Sequence, residues 1–309
     1  MNVTMVISLS YAVGIDLGGT KIEGVLADDK GKVYNRLRVL TEDKKGSKQI
    51  IDKIIKLVKD LSKGYKILGV GIGIPGNIDR RTNKVHNAPN NPSLDGVKLI
   101  EILKRRLKTP VFVENDANCL ALSEAMFGAA KKYRNIVAVV IGTGLGGGII
   151  IDGKLHQGVT PIAGEIGHMK IIMGGRKCSC GQAGCLEAYV SGTAIDKRYR
   201  ELSKTKGHVT VTELSRRARK GDAAAKKILD ETYEIIALGL SNIINVLDPE
   251  VFVIGGGVSN NDGIFREIPK RIAKYVLGYS DAKILKAKLG DSSGVLGAAS
   301  LVFSNLSKK

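Results

Sequence analysis

One pattern occurs twice along this chain, and it limits the fold more than any other feature. Tyr11 to Asp16 is a short apolar run that leads into Asp16-Leu17-Gly18-Gly19-Thr20-Lys21, and Ile22 to Ala27 resumes the apolar pattern before the turn Asp28-Asp29-Lys30-Gly31. Ile136 to Ile141 is again apolar and leads into Gly142-Thr143-Gly144-Leu145-Gly146-Gly147-Gly148, with Ile149 to Ile151 and the turn Asp152-Gly153 after it. Strand, glycine-rich turn, strand and hairpin tip recur, which marks two structurally related lobes. Between the copies, Ile50 to Leu61 and Val97 to Leu107 carry apolar residues at helical period, while Leu68 to Ile74 and Val111 to Val113 read as strands. Alternating β and α segments predict an α/β protein, and 309 residues suit two domains of ordinary size. The interlobe cleft is the expected ligand site.

Each glycine-rich turn, taken singly, is a weak signal. Neither matches the Gly-x-x-x-x-Gly-Lys-Thr phosphate loop, and neither sits at the strand-to-helix junction of a dinucleotide fingerprint. The first, however, is opened by Asp16 and closed by Thr20 and Lys21, so Gly18 and Gly19 lie between a carboxylate suited to a magnesium shell and donors suited to phosphate. The second offers backbone N–H groups from Gly142 to Gly144 and the hydroxyl of Thr143. A third apolar run, Val251 to Ile254, leads into Gly255-Gly256-Gly257, where a purine or ribose can lie close against the backbone.

A base for chemistry is expected in Glu114-Asn115-Asp116-Ala117-Asn118, at the carboxyl end of the strand Val111 to Val113, where open α/β sheets bind ligands. Asn115 and Asp116 also suit the N-cap of a helix from Ala117 to Phe127, and the two roles are compatible.

The run Cys178-Ser179-Cys180-Gly181-Gln182-Ala183-Gly184-Cys185, with His168 upstream, predicts a structural zinc site. Three thiolates and one imidazole fill a tetrahedral shell and leave no position open for water, so such a site holds structure without hydrolysing anything. Gly181 and Gly184 allow the turns that bring Cys180 and Cys185 to one ion. The plain alternative is three thiols that never meet a metal; the tight, glycine-punctuated spacing, with only Cys119 lying outside, argues against it.

Composition sets the remaining bounds. Four cysteines cannot build a disulfide scaffold, no basic residue precedes Lys21 as a signal peptide would require, and no apolar run reaches membrane-spanning length; the expectation is a cytoplasmic protein. A formal net charge of +18 raises the question of nucleic acid. The basic residues are spread along segments such as Lys44 to Lys66, Lys98 to Lys108 and Lys270 to Lys288, at spacings of solvated helix faces, and aromatics make up only 5% with no Trp to stack on bases. Neither nucleic acid nor membrane is expected as a partner.

With these motifs in order, the chain resembles the ROK family of sugar kinases and related repressors, within the actin-like ATPase superfamily. The likeness covers nearly the whole chain. It rests on Asp16 to Lys21, Gly73-Ile74-Pro75-Gly76, Glu114 to Asn118, Gly142 to Gly148, Gly164-Glu165-Ile166-Gly167-His168 and the cysteine run through Glu187. The resemblance implies two actin-like, ribonuclease H-like lobes: residues 1–117, residues 118–290, and a last helix in 291–309 that returns to the first lobe. It implies that Asn115, Asp116, Glu165, His168 and Glu187 hold a sugar, with Asn90 and the Gly76 backbone as additions. It also implies that zinc fixes one nitrogen of His168 so that the other meets a sugar hydroxyl. The expected reaction is in-line transfer of the γ-phosphoryl group from magnesium-ATP to the 6-hydroxyl of a hexose. Asp116 accepts the hydroxyl proton, Asp16 holds the metal, and Thr20, Lys21, Thr143 and Gly144 cradle phosphates.

Two other classes fit less well. The family's repressors carry a helix-turn-helix before the first phosphate motif, and only fifteen residues precede Asp16. A filament-forming or chaperone-like ATPase would have no use for the zinc run or for Gly164 to His168. Among sugars, glucose is the first expectation because Gly181 to Ile195 looks most like glucokinases. Asn87 to Gly96 lacks the tryptophan of many glucokinases and fructokinases, which leaves N-acetylglucosamine, N-acetylmannosamine, fructose, mannose and allose as alternatives. Homodimers or homotetramers are usual in such relatives.

Overall fold

The computed structural model describes residues 9–306. In chain order the strands are β1 (Tyr11–Leu17), β2 (Lys21–Asp28), β3 (Val33–Leu40), β4 (Ile67–Ile74), β5 (Asn77–Asp79), β6 (Lys84–His86), β7 (Val111–Asn115), β8 (Ile136–Ile141), β9 (Leu145–Ile151), β10 (Lys154–Leu155), β11 (Val251–Gly255) and β12 (Lys283–Lys286). The α-helices are α1 (Ser47–Leu61), α2 (Leu99–Leu107), α3 (Asp116–Met126), α4 (Glu187–Val190), α5 (Gly192–Ser203), α6 (Val211–Arg219), α7 (Ala223–Leu247), α8 (Gly263–Ile272) and α9 (Ser293–Leu306). The chain divides into two compact units. Among the described residues the first takes 9–128, Gln157–Pro161 and 289–306; the second takes Ala129–His156 and Ile162–Lys288. Helix α3 thus lies with the first unit, beyond the residue-117 boundary expected from sequence, and a short piece after β10 joins it there.

The duplicated pattern appears as duplicated topology. The first sheet runs β3-β2-β1-β4-β7 and the second β10-β9-β8-β11-β12. In each, a three-stranded antiparallel meander is extended by two strands parallel to its first. The meander follows from the tight turns after Leu17 and Ile141; the parallel strands follow from helical crossovers, which alone can return the chain to the same direction.

The first sheet is covered on both faces. Ile50, Ile54, Val58 and Leu61 of α1 and Leu99 and Leu103 of α2 bury against Val13, Ile15 and Ile72. On the other face α9 packs Val295, Ala299, Val302 and Phe303 against Ala12, Val25 and Ala27. Glycine makes that approach possible: a Cβ on Gly14 would stand 2.1 Å from the Val295 carbonyl oxygen, and one on Gly71 would stand 1.7 Å from that of Ala298. In the second unit α7 is core rather than surface, with Ile236, Leu240 and Ile244 buried among residues of α5, α6 and α8.

The structure amends the sequence reading in two further places. The run Gly146-Gly147-Gly148 is not loop but strand, paired antiparallel with Ala138 to Val140, so the second turn shrinks to Gly142-Thr143-Gly144. Gly147 needs its missing side chain because a Cβ would lie 2.6 Å from Ile166 and 2.7 Å from the Gly164 carbonyl. The basic stretch to Lys288 is not one helix face, since Lys283–Lys286 is the edge strand β12, where an exposed lysine at each end keeps the edge solvated. Among the described residues no helix is long and apolar enough to cross a membrane.

Candidate active site and metal centre

In the first unit, β1 delivers Asp16 to the turn that joins it to β2. The Gly18 N–H donates to the Lys21 carbonyl at 2.9 Å, and the Gly18 carbonyl accepts from the Thr41 hydroxyl at 2.7 Å, which pins the turn. Thr20 and Lys21 stay exposed. A Cβ on Gly19 would press on Asn90 at 3.0 Å, so the structure brings Asn90 against this loop although the two are distant in sequence. Its neighbour Asn91 was missed from sequence: it is fully buried, donates weakly to the Gly18 carbonyl at 3.4 Å, and its Oδ1 has no hydrogen-bond partner. Burial and the charge of Glu23, its cross-strand partner, push the Asp16 carboxyl above its ordinary value against the pull of Lys21. A carboxylate crowded in this way is relieved by a nearby divalent cation.

Asn115 and Asp116 stand where β7 becomes α3. Asn115 is the N-cap: its Oδ1 accepts the Ala117 N–H at 2.8 Å, and its amide donates to the Gly76 carbonyl at 3.2 Å. Its side chain therefore fixes the strand-to-helix turn and ties it to the loop that ends β4. Asp116 accepts the same Ala117 N–H at 2.8 Å, and it is exposed on the first turn of α3.

In the second unit the cysteine run and His168 converge. The four ligand atoms of His168, Cys178, Cys180 and Cys185 lie within 4.8 Å of one another, with Cys180 and Cys185 sulfurs 3.7 Å apart and His168 Nδ1 3.7 Å from the Cys178 sulfur. Tetrahedral zinc with ordinary bond lengths would separate two sulfurs by about 3.8 Å and a sulfur from a nitrogen by about 3.6 Å. The donor set fits. Gly181 and Gly184 both take positive φ, and a Cβ on Gly184 would meet the Ile172 carbonyl at 1.9 Å. Lys170 donates to the Cys185 sulfur at 3.1 Å, which offsets the net negative charge of three thiolates around a dication.

His168 turns its other nitrogen away from the cluster: Nε2 lies 3.9 Å from Glu165 Oε2. A single 3-10 turn, Ile166–His168, sets this pairing, because residues three apart eclipse on such a turn. Glu187, first residue of α4, does more than the sequence suggests. Its Oε2 accepts the Leu145 N–H at 2.8 Å and its Oε1 accepts the Ser179 hydroxyl at 2.7 Å, so one carboxylate links the second glycine turn to the cysteine run.

A cavity of about 620 Å³ in the second unit is lined by Gly142, Thr143, Gly257 and Asn260 together with Thr193 and Asp196. Of Gly255, Gly256 and Gly257, only Gly257 lines it. Gly255 is buried in the sheet opposite Val140, and Gly256 takes positive φ with its Cα against the Ile141 backbone. Residues of α5 and the start of α6 were missed as cavity lining. The signal that was present is a capping box, Thr210-Val211-Thr212-Glu213, in which Thr210 Oγ1 accepts the Glu213 N–H at 3.2 Å and so starts α6 at the cavity wall.

Two sheets of one topology, each with a glycine turn between its first two strands, define a duplicated α/β protein of the ribonuclease H-like class. The chain belongs to the ROK family, whose sequence profile matches residues 12–305. It is similar to an N-acetyl-D-glucosamine kinase of Pasteurella multocida, 37% identical over 94% of this chain and 99% of that one. Among solved structures it is similar to a ROK hexokinase from Thermus thermophilus, with a TM-score of 0.88 and 30% identity over 96% of this chain and 99% of that one. It is also similar to a ROK family glucokinase from Streptomyces griseus in complex with glucose and AMPPNP, with a TM-score of 0.75 and 33% identity over 95% and 99% of the two chains.

Proposed function

We propose that this protein is an ATP-dependent hexose kinase that phosphorylates the sugar 6-hydroxyl. The observation that carries the reading is Asp116: an exposed carboxylate on the first turn of α3, at the carboxyl end of a strand, in the same unit as the Asp16 to Lys21 turn. A carboxylate so placed accepts the proton of a sugar hydroxyl as that oxygen attacks phosphorus. Asn115 and Asp116 of the first unit, and Glu165, His168 and Glu187 of the second, are the sugar contacts that the family resemblance implies. Gly18 to Lys21 and Gly142 to Gly144 offer N–H and hydroxyl donors to phosphate oxygens, and the cavity beside Thr143 and Gly257 takes the nucleoside.

Asp16 would hold magnesium, directly or through water, and the ion would neutralise charge on the phosphates. His168, Cys178, Cys180 and Cys185 would hold zinc, which supplies rigidity. With Nδ1 on the metal, His168 keeps Nε2 for a sugar hydroxyl beside Glu165, and a pocket built on such pairs rejects sugars whose hydroxyls are missing. Glucose is the first acceptor by the likeness of Gly181 to Ile195 to glucokinases. A second acceptor, N-acetylglucosamine, is favoured by the relative from Pasteurella multocida. The test is ADP release with magnesium-ATP across hexoses and N-acetylhexosamines. Turnover on one of these two sugars is expected; no turnover on any sugar by folded, zinc-loaded protein would refute the kinase reading.

A further inference from the structure

We infer that Glu114 is the positioning residue for Asp116, acting through a clasp completed by Arg80 and Gln157; the inference rests on Asp116 being the base of the proposed reaction. Glu114 lies on β7 two residues before Asp116 and is 5% exposed. Each of its oxygens takes two donors. Oε1 accepts the Asn115 N–H at 3.0 Å and the Asn118 amide at 3.1 Å. Oε2 accepts Arg80 Nη2 at 2.7 Å and Gln157 Nε2 at 2.7 Å. Arg80 Nη1 also donates to Gln157 Oε1 at 2.6 Å, closing a ring of three side chains.

The four donors come from three separate pieces of chain. Asn115 and Asn118 belong to the turn that carries Asp116. Arg80 follows β5, just beyond the Gly76 loop that Asn115 also grips. Gln157 comes from the short segment, Gln157–Pro161, that lies with the first unit although the chain on both sides of it lies with the second.

A buried carboxylate is costly unless paired and hydrogen-bonded, and the other buried residues of β7, Val111 and Val113 on its opposite face, are apolar. What the carboxylate adds is direction: Oε1 holds the backbone of Asn115, and Oε2 anchors Oε1's geometry to two distant segments. With every acceptor site occupied, Glu114 has none to offer a substrate. Its effect passes through the Asn115–Asp116 backbone to where the Asp116 carboxylate points.

The test compares Glu114→Gln, Arg80→Gln and the double variant in the full, zinc-loaded chain. In Glu114→Gln the new amide nitrogen faces the donors of Arg80 or Gln157, so the clasp opens; kcat is expected to fall about 10- to 100-fold with KM for ATP within about twofold. In the double variant the side-chain amide introduced by Arg80→Gln offers an acceptor to that nitrogen, and kcat is expected to recover several-fold over Glu114→Gln alone. A folded Glu114→Gln with wild-type kcat, or a loss with no recovery in the double variant, overturns the inference. Should Glu114→Gln not fold, Gln157→Ala removes one peripheral donor, and wild-type kcat there overturns it equally. Hydrogen exchange at the Asn115 amide gives a readout that needs no turnover. Exchange faster in Glu114→Gln than in wild type is expected, and equal rates refute the clasp. Inactive wild-type protein with that exchange difference would sink the kinase reading and leave the clasp standing.

Discussion

Gly294→Ala separates the active-site reading from ordinary packing. Gly294 is the second residue of α9, and a Cβ added there would stand 2.6 Å from Asp16 Oδ2 and 2.8 Å from its Cγ. An unstrained carbon–oxygen contact needs about 3.3–3.6 Å, so the new methyl is short of room by roughly 0.7–1 Å. Helix α9 cannot supply that distance. Its backbone already lies where a Cβ on Gly14 or Gly71 would collide with it, and a Cβ on Gly297 would lie 2.1 Å from the Cys119 carbonyl. The Asp16 side chain can move, so the carboxylate shifts by the missing distance. A misplacement of about 1 Å at a reacting centre costs on the order of a hundredfold in rate, so kcat is expected to fall about 10- to 100-fold. Stability should change little, because alanine is the better helix former by about 1 kcal/mol and only a side chain is displaced. Steady-state turnover against magnesium concentration, with a melting curve, measures both, and the half-saturating magnesium should rise. Gly207→Ala, with nothing within 4 Å of the added Cβ, is the silent control. Turnover within twofold of wild type in Gly294→Ala would refute the placement of Asp16 in the phosphate and metal site.

Three further outcomes follow from other residues. Asp116→Ala should lower kcat at least about a hundredfold while calorimetric ATP affinity stays near wild type; near-normal turnover would remove Asp116 from the role of base. Cys180→Ser should lower zinc content, melting temperature and sugar affinity together, and unchanged sugar affinity in a zinc-free variant would contradict the orienting role given to the metal. Asp196 is buried, which pushes its carboxyl up, but the Val209 N–H, His208 and Arg200 outweigh burial and hold it below its ordinary value. A depressed folded-state pKa stabilises above the unfolded value of about 3.9, and that stabilisation is lost as pH falls through the folded value. Asp196→Asn should therefore melt lower than wild type at pH 7, with the gap closing below about pH 4; a gap independent of pH would refute the assignment.

Much of the fold was legible because it is written in local pattern. The turns after Leu17 and Ile141, the helical period of Ile50 to Leu61 and the 25-residue α7 need only neighbours a few residues away. The cysteine run was legible for the same reason, since a chelate closed within eight residues leaves little choice of geometry. The start of β9 was not legible: three successive glycines read as loop, and only pairing with Ala138 to Val140 makes them strand. The walls of the cavity beside Thr143 and Gly257 were hidden too, because α5 and the start of α6 carry no motif beyond a capping box.

The amino-acid sequence alone determined the duplicated meander, its two glycine turns and the cluster of three cysteines and one histidine, since each depends on residue type and short spacing. Tertiary structure decided which polar groups meet. Asn90 against Gly19, Glu187 shared between Leu145 and Ser179, and Glu114 gripped by Arg80 and Gln157 join segments tens of residues apart. Such contacts form only after loop closure has been offset by burial of the two cores. Their partners are therefore chosen by topology, and by the glycines that let α9 lie on the first sheet, not by any pattern in the neighbouring sequence.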